Sequence, residues 1–145
     1  LFDQPHAVAG AEPVLEAAGV ADRCQVSAGS FFEALPAGED AYTLKHILMD
    51  WENPMDWENP EPLAILRTCR RAIGPTGTLV VIEWIIAPPN EGAAEKFIDV
   101  AMPISPGGQG RTREEWVSLF AAAGFRLTCI APTSAGVNII EGSPV

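Results

Sequence analysis

Glu83 is the residue whose surroundings say most about chemistry. It lies within Leu79-Val80-Val81-Ile82-Glu83-Trp84-Ile85-Ile86, an almost wholly apolar run. A carboxylate there is costly to bury unless it is paired or faces a cavity. Close to the carboxyl end of a strand, the cavity is the favoured reading. Asp3 follows a short apolar start that reads as the end of another strand. In open α/β sheets ligands bind beyond the carboxyl ends of the strands, so an acidic residue there is placed to accept both hydroxyls of a ribose. The plainer alternative for Asp3 is a helix cap or turn. Lys45 lies late in the apolar stretch Ala41 to Leu48. It either snorkels or faces a polar cleft. Asp50 and Trp51 come next, at that strand's end, with a loop or core anchor as the alternative for Trp51.

Other residues carry weaker signals. His6 falls in a first helical turn, and His46, beside Lys45, is expected to point to the opposite face of its strand. Both read as structural. Gly107-Gly108-Gln109-Gly110 lacks a preceding strand and the Gly-Lys-Ser/Thr ending, which argues against a phosphate loop. Ser105 and Ser134 have no nucleophile-elbow context. Cys24, Cys69 and Cys129 are odd in number and far apart, so neither a disulfide framework nor a metal site is expected. That usage fits a reducing cytoplasm.

The elements that must position these residues alternate in kind. Ala7 to Ala18 is Ala-rich with Pro13 inside it, so a helix begins near Pro13 or two short helices meet there. Gly19 suits the C′ position. Arg23 to Ser27 reads as a short strand and Ala41 to Leu48 as a buried one. Asn59 and Pro60 can start a helix whose stripe is Ile65, Leu66, Cys69 and Ile73. Gly74 to Gly77 is a turn, and Thr78 to Ile86 is expected to be a strand covered on both faces. Asn90 can cap a further helix carrying Ala94, Phe97, Ile98, Ala101 and Met102, which Pro103 stops. Thr112 to Glu115 is a capping box, and Gly124 closes the helix it opens. Phe125 to Ala131 and Val137 to Glu141 read as an antiparallel hairpin. The order predicts a layered α/β fold with a mostly parallel sheet. Met49-Asp50-Trp51-Glu52-Asn53-Pro54 is repeated at once as Met55 to Pro60, a duplication placed in a strand-to-helix loop.

Composition bounds the partners. The chain has 145 residues and 48% hydrophobic residues, enough for one packed domain. Its net charge of −10 speaks against nucleic acid and against anionic membrane surfaces. No apolar run approaches the ~18 residues of a membrane span.

Read together, the motifs resemble the class I S-adenosylmethionine-dependent O-methyltransferases, in the branch of caffeate-type and polyketide-type small-molecule enzymes. Phe2-Asp3-Gln4-Pro5-His6 is similar to the family's F-D-L-P-H. Gly29-Ser30-Phe31-Phe32 is similar to G-D-F-F, and Leu44 to Trp51 to L-K-H-V-L-H-D-W. Ile65-Leu66-Arg67 and Val81-Ile82-Glu83 match the next helix and strand. Gly107 to Thr112 resembles G-G-x-E-R-T, and Ala122 to Phe125 resembles A-A-G-F.

The resemblance implies a Rossmann-like methyltransferase sheet with a C-terminal antiparallel hairpin. It places the family's first strand, glycine-rich loop and helical dimerisation domain ahead of F-D-L-P-H. Residues 1–145 thus read as a partial catalytic domain lacking the first strand, whose flanking strands present open edges. The whole protein is expected to be a cytoplasmic homodimer acting on a small-molecule hydroxyl. S-adenosylmethionine is the implied cofactor, with Asp3 on its ribose, Phe31 and Lys45 along it, and Ser30 where the family has an adenosine-contacting Asp. Met49 stands at the position of the catalytic His, Glu83 at one of the acids that orient it, and Gly110 where a second acid is usual. Asp50, Trp51 and Met102 match positions around the acceptor pocket. Met cannot take a proton. Glu83 is then expected to sit near Met49 as a buried carboxylate without an imidazole partner or a nearby cation. Burial should raise its pKa. The alternative reading is a relative that keeps the fold without methyl transfer.

Overall fold

The computed structural model describes residues 1–51, 61–92, 96–97 and 108–145. The expected Asn59–Pro60 helix start, the second hexapeptide, most of the helix expected after Asn90, Pro103 and Ser105 lie outside those residues. Asn90 itself adopts a left-handed φ of 68° in a turn, not the extended conformation of an N-cap.

The chain opens with β1 (Phe2–Asp3), α1 (Pro5–Val8) and α2 (Ala11–Ala17). Two short helices therefore form, and they meet at Gly10 while Pro13 sits in the first turn of α2. Gly19, at φ 67°, ends α2: its N–H reaches Glu16 O and that of Val20 reaches Leu15 O. This is the paired closure that a left-handed C′ residue permits. The strand expected over Arg23 to Ser27 is displaced. Ala21–Arg23 is a 3-10 turn, and β2 is Ser27–Ala28, which pairs in parallel with β1. The partner strand decides the register here, and β1 is only two residues long.

The main sheet has the order β3-β4-β8-β7, from β3 (Ala41–Lys45), β4 (Thr78–Glu83), β7 (Phe125–Pro132) and β8 (Asn138–Pro144). β3 and β4 are parallel, and β8 is antiparallel to both β4 and β7. The sheet is thus mixed, with the expected closing hairpin. A short parallel pair joins β5 (Ile85–Ile86) to β6 (Arg111–Thr112). β3 stops three residues short of the expected Leu48 because His46 turns to φ 52°. β4 is central but buried on one face only: Leu79, Val81 and Glu83 point in, while Thr78, Val80 and Ile82 stay half-buried.

Two helices cover that inner face. The predicted stripe of α3 (Glu61–Ala72) is buried, as Ile65, Leu66 and Cys69. In α4 (Arg113–Ala122) the Thr112–Glu115 capping box forms as expected, and Trp116, Leu119 and Phe120 are buried. The Phe120 ring lies so close over Gly142 of β8 that a Cβ there would sit 2.6 Å from it. Arg70 ties α3 to the chain end, donating to Gly124 O and Val145 O at 3.1 and 3.0 Å.

β1 and β3 are not hydrogen-bonded to each other. Thr78 N donates to Asp40 O and His46 N to Ile82 O, so the even-numbered residues of this stretch bond to β4. In a parallel ladder the odd ones, Ala41, Thr43 and Lys45, then aim their backbone groups the other way, toward β1.

Candidate active site

A cavity of about 690 Å³ lies in that gap between β1 and β3. Its lining includes Asp3, Phe31, Thr43 and Lys45. Asp3 is half-buried at the end of β1, where its Oδ1 accepts the Gln4 N–H at 2.7 Å. Phe31 packs against the core and against Phe32, with ring centroids 4.9 Å apart. Lys45 is exposed at the end of β3. The lining runs the whole length of β3, from Ala41 to Lys45, the slot that the resemblance gives to the family's first strand; the end that carries Asp3, Phe31 and Lys45, a carboxylate, an aromatic face and an ammonium, suits a nucleoside bearing an amino-acid tail. Ser30 is not among the lining residues; its Oγ accepts the Phe32 N–H at 3.3 Å.

A second group forms around Glu83, only 1% exposed on the inner face of β4. It does not line the cavity. Its Oε1 accepts the Met49 N–H at 3.4 Å, and its Oε2 lies 3.4 Å from His46 Nδ1. The expectation of a carboxylate without an imidazole or cation is therefore corrected. The left-handed turn after β3 swings His46 onto Glu83, and Arg111 stands near enough to act on its charge. The expected rise in its pKa holds all the same: burial pushes the carboxyl above its ordinary range, and His46, the Met49 N–H and Arg111 only partly offset that.

Arg111 is 1% exposed, and sequence reasoning passed over it. Its Nη1 donates to Leu48 O at 2.8 Å and its Nη2 to Trp51 O at 2.9 Å. The guanidinium carbon lies 5.5 Å from the centroid of the Trp116 ring, a cation–π contact. Burial lowers its pKa to about 10, against the pull of Glu83 and Glu115. Arg111 thereby fixes both ends of the turn Leu48–Asp50 that carries Met49. Gln109 N adds a third tie, to Met49 O at 2.8 Å. Trp51 is half-buried, edge-on to Phe32 at 5.0 Å, whereas Asp50 is exposed. Met49 is half-buried, and Met102 lies outside the described residues. The only sequence signal for Arg111 was its place in Gly107 to Thr112, next to the capping box.

A family model described as an O-methyltransferase domain matches residues 1–126. The chain belongs to that O-methyltransferase family. It is 40% identical over 145 residues to the phenazine O-methyltransferase PhzM of Lysobacter antibioticus, covering all of this chain and 41% of that protein. The crystal structure of LaPhzM superposes with a TM-score of 0.90 at 39% identity, over 100% of this chain and 42% of the other. NcsB1, an O-methyltransferase from neocarzinostatin biosynthesis, superposes with a TM-score of 0.84 at 32% identity, over 99% and 41% of the two chains. That structure holds S-adenosyl-L-homocysteine and 1,4-dihydroxy-2-naphthoic acid. The chain thus spans about two fifths of the length of the relatives it matches. Its fold is that of the class I methyltransferases, with a mixed sheet and a C-terminal antiparallel hairpin. Among the described residues no helix is long and apolar enough to cross a membrane.

Proposed function

We propose that the whole protein transfers a methyl group from S-adenosylmethionine to a hydroxyl of an aromatic or polyketide-like small molecule. The observation that carries this is the acidic strand end: Asp3 at the carboxyl terminus of β1, on one cavity with Phe31 and Lys45. The Asp3 carboxylate accepts the ribose hydroxyls, Phe31 gives the base an apolar face, and Ser30 takes the place of a second acid. When bound, the sulfonium cofactor supplies an already activated methyl group. Asp50, Trp51 and Met102 border the acceptor, and the Arg111 ties hold the Met49 turn in place against it. Proximity and in-line orientation then carry much of the rate. Residues 1–145 supply part of the catalytic domain, and the whole protein works as a homodimer.

The test is calorimetry on the whole protein with S-adenosylhomocysteine, joined to a methyl-transfer assay on a panel of phenols. Asp3→Ala is expected to weaken cofactor binding at least tenfold, and unchanged affinity would remove Asp3 from the ribose role. A second reading, a fold retained without methyl transfer, is favoured by Met49 at the position of the usual base. Cofactor binding without transfer to any phenol would select it.

A further inference from the structure

A hydroxyl that receives a methyl group must lose its proton, and the groups that could take one at this site can be followed in turn. The chain has two histidines, His6 and His46. His6 is exposed on α1. His46 lies just past β3, where Trp84 stacks on its ring at a centroid distance of 4.5 Å and its Nδ1 is buried 3.4 Å from Glu83 Oε2. Neither histidine lines the cavity. Glu83 has its oxygens turned to Met49 N and His46 Nδ1 and stays outside the cavity as well. The Tyr42 hydroxyl does belong to a lining residue, but it is turned to Pro36 O and Ala72 O, at 2.6 and 3.2 Å. Cys69 is buried with its thiol pushed up to about 12, so it is no thiolate. Cys24 precedes β2, at the far end of the slot from Asp3, whose partner is Ala28.

The turn Leu48–Asp50 adds nothing basic. Met49 brings a thioether, a weak acceptor even of hydrogen bonds. Asp50 is exposed to water, and a carboxylate is by nature a base about six pKa units weaker than a phenolate. Lys45 and Arg111 are cations, and the Arg111 guanidinium is turned to the carbonyls of Leu48 and Trp51. Glu115 of α4 accepts from Thr112 N and Oγ1 at 2.7 and 3.0 Å, and Asn138, opposite Glu83 on β8, is neutral. Residues 52–60, 93–95 and 98–107 contain no histidine, lysine, cysteine or tyrosine. Among the described residues, then, no imidazole lines the cavity, and the turn beside it offers a thioether and a solvated carboxylate.

We infer that the acceptor of this site is a hydroxyl acidic enough to arrive already ionised: an enol or ring hydroxyl conjugated to a carbonyl, a quinone or a ring nitrogen. This rests on the methyl-transfer reading and narrows its substrate class. The proton goes to bulk water before the acceptor binds. In the step itself a lone pair of the oxyanion bonds the methyl carbon, and the carbon–sulfur pair stays on sulfur, which leaves as the neutral thioether. No proton moves. An anion and a sulfonium thereby become two neutral products. Their mutual attraction grows as water is excluded, and the Lys45 ammonium at this end of the cavity favours an anionic guest. Proximity and in-line alignment supply the rest. An ordinary phenol, with a pKa near 10, is ionised in only about one molecule in a thousand at pH 7 and is a poor acceptor here.

The test uses the whole protein and a series of phenols made progressively more acidic by nitro and halogen substituents, with kcat/KM followed against pH. For each acceptor the rate should fall about tenfold per pH unit below that acceptor's own pKa, so the midpoint of this limb should move along the series with the acceptor. Above the midpoint the rate should be unchanged in heavy water, since no proton is in flight. Met49→His should supply a base and raise the rate for unsubstituted phenol at least about tenfold, with a gain that shrinks toward the acidic end of the series. The absence of that gradient would overturn the inference. So would a limb that stays at one pH for every acceptor, because a protein group would then be taking the proton; methyl transfer itself would stand. Wild-type protein that binds S-adenosylhomocysteine but methylates no acceptor at any pH would overturn the methyl-transfer reading.

Discussion

Residues 1–40 and residues 41–145 are built differently. None of the first forty is buried, whereas every buried core residue lies from Tyr42 onward. The first part is a two-residue strand pair edged by short helices. The second is a four-stranded sheet closed by α3 and α4 over Leu66, Leu79, Phe120 and Ile140. Within residues 1–145 the apolar area removed from water, the main favourable term in folding, therefore lies in the second part. The cavity draws on both, with Asp3 and Phe31 from the thin part and Lys45 from the packed one, which also carries Glu83 and Arg111.

The contrast is sharpest in core truncations. Phe120→Ala is expected to cost about 3–5 kcal/mol, against about 0.5 kcal/mol or less for an exposed position such as Val14→Ala. Urea unfolding measures both, and similar costs would erase the distinction. Next comes Arg111→Met, which removes a buried guanidinium and leaves the Leu48 and Trp51 carbonyls without their donors, and should cost roughly 3 kcal/mol. Because the Leu48–Asp50 turn also loses its two ties, this variant should lower activity as well as midpoint.

Glu83→Gln tests the sign of the buried charge. The folded pKa is raised, so the stability this group contributes is fully present below its unfolded value, 4.5 by reference, and is lost as pH rises through the folded pKa. The wild type should weaken over that window by about 1.4 kcal/mol for each tenfold difference in proton affinity. The Gln variant should follow a flatter curve, and parallel curves would refute the burial account. The smallest effect is chemical. Cys69, buried with its thiol pushed up to about 12, should resist alkylation until the core unfolds. Exposed Cys129 and half-buried Cys24 should react in the native state, as mass spectrometry would read.

Local signals were legible in the sequence. The capping box at Thr112 and Glu115 spans four residues, and the stripe from Ile65 to Ile73 spans nine, so each is set by neighbours along the chain. The closing hairpin was equally plain. What sequence reasoning missed acts over distance. Arg111 reaches Leu48 across 63 residues, and its partners are carbonyl oxygens, which leave no mark on side-chain pattern. His46 was expected on the face opposite Lys45, away from Glu83, because strand alternation was carried one residue too far. The strand ends at Lys45, and the turn that follows is fixed by Ile82, Trp84 and Glu83 on another strand. The half-buried outer side of β4 misled for a related reason: an apolar β-branched run does not say how many of its faces are covered.

The ring of Phe120 over Gly142 carries a consequence for how this hairpin can vary. The two positions share one volume, so neither has an independent set of tolerated residues. A methyl group at 142 collides with the ring and should be destabilising, as overpacking is by about 1–3 kcal/mol. The same methyl beside a smaller side chain at 120 would fill space rather than contest it. Gly142→Ala and Phe120→Leu should therefore be less harmful together than their separate costs imply. A saturation library over the pair should return survivors along a diagonal, with large partnering small.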